Sequence, residues 1–373
     1  MTQTQTKQAQ PTTQTRSFTS RWVSRLAVDK YGAVYVWLAI IVVFSIWVPE
    51  TFPNVTTAKQ ILNSNAITAF AALAVTIPLT ARVFDLSFAL NMTLCGVAAA
   101  HFVVAGLPLV SAMTLALSIG LVVGLINAMV VVVMKIDSFI ATLATGSLIA
   151  ALITMVTNDT PISDVRLSGG FSAIGQTTVH GITLPVLYVA VVAVAIWYLL
   201  EHTATGRRLY AVGFNPEAAR LAGVRVARLQ FLTLVASGVL AGAAGIVLAS
   251  ILGGGSPTAG TPYLLPAFAA AFLGATQIKH GRFNAGGTLI AVLLLGTGTT
   301  GLGLANAPQW SGNLFVGIVL IAALTVTGLQ RRTTLAARPS GTDTSADGTS
   351  PSSPPSHSDG LSDGSAHSEA VSG

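Results

Sequence analysis

Long stretches without charge restrict the fold of this chain more than any other feature. Apolar runs of about 18 residues or more, almost free of Asp, Glu, Lys and Arg, fill most of positions 33–329. A helix needs ~20 residues to cross ~30 Å of hydrocarbon, so such runs read as membrane spans. In lipid every backbone polar group must be satisfied internally, which leaves helices or closed barrels. The runs lack the strict alternation of a barrel strand, so helices are expected. Composition agrees: 52% of residues are hydrophobic and 9% charged, against roughly 25% charged in a soluble domain. The fold class is an all-α polytopic membrane protein.

The sequence reads as about ten transmembrane helices, at 34–49, 66–81, 86–105, 109–134, 138–157, 184–200, 229–251, 264–278, 286–304 and 313–329. Alternating sides from a cytoplasmic N-terminus places seventeen of the nineteen Lys and Arg residues inside, and leaves Lys59 and Arg166 outside. Both termini are therefore expected in the cytoplasm. The formal charge of +6 is a topology signal, not a footprint for nucleic acid. The span 66–81 measures only ~24 Å by helix rise and contains Pro78. It reads either as a span or as part of a broken or re-entrant element ending near Arg82–Asp85. Three regions result: an N-terminal tail at 1–32, a transmembrane bundle at 33–332 and a tail at 333–373. The tails are rich in Thr and Gln, or in Ser, Gly, Pro and Asp, and are expected to be disordered. Met1–Lys30 lacks the apolar segment of a cleavable signal, so the first span would itself direct insertion.

The most informative loop is Glu201–Arg228. Within it, Asn215, Pro216, Glu217, Ala218, Ala219, Arg220, Leu221, Ala222 and Gly223 spell a short helix with both ends marked. Asn215 suits the N-cap and Pro216 the first helical position, while Glu217 complements the positive end of the helix. Gly223 can adopt the left-handed conformation that stops it. Two turns are marginal alone in water. The segment is either an ordinary connecting helix or one held by docking, with Ala218, Ala219, Leu221 and Ala222 as the docking side.

Glu217-Ala218-Ala219 followed by Gly223 resembles the coupling loop of ABC importer permeases, which inserts into the ATPase subunit. The stretch Thr205–Asn215 resembles the approach to that loop in the sugar-type branch, which includes ribose, xylose and arabinose permeases. Asp85-Leu86-Ser87, Phe139–Thr145 and Tyr263–Thr276 fall in the order expected of that branch, and the resemblance covers roughly 60–330. It implies alternating access by two permease subunits, identical or paralogous, resting on two ABC ATPase subunits in the membrane lipid. An extracytoplasmic solute-binding protein would deliver a sugar or polyol.

No G-x-x-x-x-G-K-[ST] sequence occurs, so ATP hydrolysis is expected on another chain. No catalytic constellation, metal-ligand spacing or cofactor motif is found, and Cys95 alone excludes an internal disulfide. Asp85, Asn91, His101 and Asn127 are the candidates for the translocation pathway, because polar groups at depth are costly. Each also has a structural reading: Asp85 as a cap or partner of Arg82, the others as bonds between helices. Gly238 and Gly242, four apart, mark close helix packing. An ion-coupled secondary transporter is the competing function, for which Asp85 would be the ionisable group.

Overall fold

Because the apolar runs satisfy their backbone internally, the described residues are helical almost throughout. The computed structural model describes residues 28–276 and 281–336. Most of both expected tails, and Lys279, lie outside the described residues. Two compact units divide the chain, 1–330 and 331–373. The described part of the second, 331–336, is helical, and the description below concerns the first.

In order, the helices are α1 (Val28–Trp47), α2 (Val55–Ser64), α3 (Ala66–Thr80), α4 (Phe88–Val104), α5 (Leu109–Ala128), α6 (Ser138–Thr157) and α7 (Gly170–Gln176). There follow α8 (Leu184–His202), α9 (Ala204–Phe214), α10 (Pro216–Leu221), α11 (Val226–Leu252), α12 (Leu264–Thr276), α13 (Ala285–Leu304) and α14 (Trp310–Ala336). A π turn, Met129–Val133, extends α5. A two-residue hairpin, β1 (Thr178–Val179) with β2 (Ile182–Thr183), interrupts the helical pattern between α7 and α8.

Among the described residues, five helices are long and apolar enough to cross a bilayer: α5 with its π turn, α6, α8, α11 and α13. The pair α2 and α3, bent by 45°, makes a sixth if counted as one span. Shorter apolar helices occur at Val34–Trp47, Phe88–Val104, Thr261–Thr276 and Trp310–Ala322. Large apolar side chains such as Leu148, Met155, Val191 and Ile318 face outward on α6, α8 and α14, as a protein solvated by hydrocarbon requires.

The break near 66–81 lies at Asn65, between α2 and α3, and not at Pro78. Pro78 sits in the last turn of α3, where its carbonyl accepts from the N–H groups of both Ala81 and Val83. Proline there removes one rung, the bond to the Ala74 carbonyl, and the helix ends two residues later at Thr80.

At the centre lies α11, packed on α3, α4 and α5. Its contact face is made of small residues. A Cβ on Gly96 of α4 would stand 2.7 Å from the Gly245 carbonyl oxygen, and one on Gly120 of α5 would stand 2.8 Å from that of Gly238. Gly124 meets the backbone at Leu234 and Val235. The Gly238/Gly242 pair thus marks close packing, with Gly120 and Gly124 as its counterpart. Where lipid supplies no hydrophobic drive between helices, this intimacy of backbones holds them together.

Candidate functional site

Between α8 and α11 the chain leaves the apolar bundle and forms α9 and α10. The Asn215 side chain, on extended backbone, accepts from the N–H groups of Glu217 and Ala218, each at 3.1 Å. Two of the orphan donors at the start of α10 are so satisfied. Gly223 has φ +80°, its N–H donates to Arg220, and the N–H of Val224 donates to Ala219. These two bonds form the glycine-terminated Schellman stop. Both ends expected from the sequence are present.

The face expected to dock needs one correction. Ala219 is buried in the core, because α10 lies against α9 and α11 on that side. Glu217, Ala218, Arg220, Leu221, Ala222 and Gly223 are exposed. Leu221 is the extreme case at 90%.

Several contacts fix this layer to the bundle. Gly213 of α9 packs directly on the Thr80 carbonyl at the end of α3, leaving no room for a side chain. The Tyr210 hydroxyl, buried, is shared between Glu201 Oε1 at 3.0 Å and the Phe283 carbonyl at 3.1 Å. Burial holds the phenol neutral well above its ordinary range, and the neighbouring Glu201 carboxylate adds to the effect. The Arg282 guanidinium lies 5.3 Å from the Tyr210 ring centre and 5.1 Å from that of Phe214. So α9 and α10 are joined to the end of α3, the end of α8 and the segment leading into α13. Sequence reasoning did not single out Tyr210, Arg282 or Gly213 for this role. A glycine and an aromatic flanking the capped helix were the available signals.

Beneath this layer, Asp85, Asn91 and Asn127 are buried and engaged. Asp85 Oδ2 accepts from Ser237 Oγ of α11 at 2.7 Å, and Oδ1 accepts from the Ser87 N–H and hydroxyl at 3.1 and 2.7 Å. Asn127 of α5 donates to Ser87 Oγ at 2.7 Å. Among the described residues, its own Oδ1 finds no partner. Ser138 and Thr142 of α6 accept from the N–H groups of Phe84 and Leu86. The irregular turn 81–87 is therefore tied to three other helices. Arg82 is not the partner of Asp85: it is exposed on left-handed backbone, φ +58°, while the carboxylate points inward to hydroxyls. Asn91 Nδ2 donates to the Gly238 carbonyl at 2.9 Å, bonding α4 to α11. His101 stands apart, exposed in the last turn of α4 beside Phe102. The structure thus joins Asp85 and Asn127 in one cluster, bonds Asn91 to the neighbouring Gly238 of α11 and leaves His101 outside the cluster. Ser87 and Ser237, which complete the cluster, carried no periodic signal in the sequence.

Comparison with known proteins supplies the context for this layered arrangement. Residues 57–324 match the family described as branched-chain amino acid transport system / permease component. The chain is 31% identical over 324 residues to the ribose import permease protein RbsC of Escherichia coli (strain K12), covering 84% of this chain and 98% of that one. It is 33% identical over 297 residues to the protein of the same name from Bacillus subtilis (strain 168), covering 80% and 92%. To the D-allose transport system permease protein AlsC of Escherichia coli (strain K12) it is 30% identical over 301 residues, covering 79% and 90%. Permeases of this kind work with ATPase and solute-binding protein partners. The chain belongs to this family: it is a multi-pass membrane permease subunit of an ATP-binding-cassette importer, a transport subunit and not an enzyme.

Proposed function

We propose that this permease carries a sugar or polyol, and that α10 is the element through which the ATPase drives it. The observation that carries the second part is the exposure of Leu221 on a helix stopped at both ends. An isolated two-turn helix gains little from its own ladder. Full capping of a helix that presents a bare leucine suits a knob for a groove on a partner. For the solute, the support is that relatives covering most of the chain are named for ribose and D-allose import.

Ten spans with both termini in the cytoplasm remain the topology we propose. In its support, among the described residues five long helices, one bent pair and four shorter apolar helices overlap the ten expected spans. The charge count puts α9 and α10 on the cytoplasmic side, where an ATPase could reach them. Reporter fusions after Lys30 and Arg338 should act only as cytoplasmic reporters. A second permease subunit, identical or paralogous, would complete the path through the lipid. The flanking regions 1–32 and 333–373 are proposed as solvated tails. For Asp85, Asn91 and Asn127, the bonds described above favour a role in holding helices over direct contact with solute.

Coexpression tests the division of labour. The purified chain alone should not hydrolyse ATP, since it carries no phosphate loop. With its ATPase it should copurify as a complex whose hydrolysis rises with loaded solute-binding protein. Turnover by this chain alone, or failure to hold any ATPase, would sink the proposal.

A further inference from the structure

A cavity of about 420 Å3 opens among the start of α3, the start of α12, the end of α13 and the start of α14. That volume lies within the ~300–1,000 Å3 of small-molecule sites. Asn65, Thr68, Thr299, Gln309 and Asn313 line it, with Gly296, and none of its lining residues is charged. Among the described residues, no protein group is hydrogen-bonded to the side chains of Thr68, Gln309 or Asn313. Three side chains with unused donors and acceptors therefore converge on one space.

Asn65 is held in place beside them. It stands at the 45° break between α2 and α3, and its Nδ2 donates to the Ile61 carbonyl at 2.8 Å and to Ser64 Oγ at 3.3 Å. Those bonds leave its carbonyl oxygen as an acceptor. The amide lies directly on α13 at Gly296, where any side chain would collide with it. Discontinuous helices of this sort commonly border solute sites in transporters.

We infer that this cavity is the outward-facing site at which the proposed sugar or polyol first contacts the permease. The inference rests on the proposed importer topology, which puts this end of the bundle on the delivery side. The lining decides the chemistry. Zwitterionic amino acids would bring an ammonium and a carboxylate into a cleft without a charged partner, which is costly. Hydroxyl groups of a sugar, each both donor and acceptor, match amide and hydroxyl side chains directly.

The test is uptake by the native cells, with the chromosomal gene replaced by wild type, Asn313→Leu, Thr68→Val or the double variant. D-ribose, D-allose, myo-inositol and L-leucine serve as radiolabelled probes. Wild type should take up at least one of the three polyhydroxy compounds and not leucine. Each single variant should raise KM for that compound roughly three- to ten-fold, the size of one lost neutral hydrogen bond, with the double variant higher still. Abundance and copurified ATPase should stay at wild-type levels, since Asn313 is exposed and Thr68→Val keeps the shape. Unchanged KM in the double variant would overturn the site while leaving the importer reading intact. So would weakened docking of the binding protein at unchanged KM, which would make the cleft a docking surface. Uptake of leucine alone would overturn the polyhydroxy solute, and no uptake of any probe by a wild type that retains its ATPase would overturn both.

Discussion

Ser237 Oγ lies 2.7 Å from Asp85 Oδ2, and this one bond joins α11 to the turn between α3 and α4 across 152 residues of sequence. The same carboxylate gathers Ser87, which in turn accepts from Asn127. A buried carboxylate with several donors is tolerable, whereas donors left without it are not. The cluster therefore acts as a junction of α4, α5 and α11 beneath the exposed α9–α10 layer.

Breaking that junction should cost stability before it costs transport. Ser237→Ala removes one donor to the carboxylate, worth about 1–3 kcal/mol. Asp85→Leu strands Ser87 and Ser237 together and should be the more severe. Thermal unfolding of the detergent-purified chain, followed by loss of monodisperse protein, should show Asp85→Leu below Ser237→Ala below wild type. Uptake should fall in proportion to membrane abundance. Full abundance and an unchanged melting point with lost uptake would return Asp85 to the transport path.

Tyr210 makes a prediction with a defined pH window. Its hydroxyl is held neutral above its ordinary value of 10.0, by burial first and by the adjacent Glu201 second. A phenol whose folded value is raised stabilises the fold fully below the unfolded value and loses that contribution as pH rises beyond it. Tyr210→Phe removes the donation to Phe283 and should cost about 1 kcal/mol below pH ~10. Above that pH the gap between wild type and variant should shrink, because the unfolded wild type ionises first. Other tyrosines titrate in both proteins and cancel in the difference. A gap that widens above pH 10 would contradict the arrangement of Tyr210 and Glu201.

What could be read from the sequence divides along distance in the chain. The caps of α10 were legible because Asn215, Pro216 and Gly223 act on backbone groups within a few residues. The close packing at Gly238 and Gly242 was legible from their spacing, and Gly120 and Gly124 carried the same spacing unread. Nothing local announces that Asp85 will meet Ser237, so Arg82, three residues away, was the natural expectation. The short span 66–81 announces a broken element without locating the break, and the bend falls at Asn65, whose amide serves Ile61 and fits over Gly296. By sequence Ala219 belongs with Ala218, Leu221 and Ala222 on the docking side. Only the packing of α10 on α9 and α11 turns it inward.

The α10 knob gives the sharpest prediction, because substitutions there should separate coupling from folding. Leu221 is 90% exposed, so Leu221→Asp should change stability by no more than ~0.5 kcal/mol. Gly223 sits at φ +80°, and among the described residues nothing beyond its chain neighbours lies within 4 Å of where a Cβ would stand. Gly223→Val is therefore penalised by backbone strain alone, about 1–2 kcal/mol, and should tilt the end of the helix. Glu217→Lys reverses a charge at the positive end of α10, a loss of ~0.3–1 kcal/mol. All three proteins should insert and accumulate normally and still dock the loaded binding protein. Copurified ATPase and solute-stimulated hydrolysis should fall at least ~10-fold for Leu221→Asp and Gly223→Val, with a smaller loss for Glu217→Lys. Normal ATPase retention and hydrolysis in Leu221→Asp and Gly223→Val together would make α10 an ordinary connector. The exposed leucine would then have to be explained by something other than the ATPase.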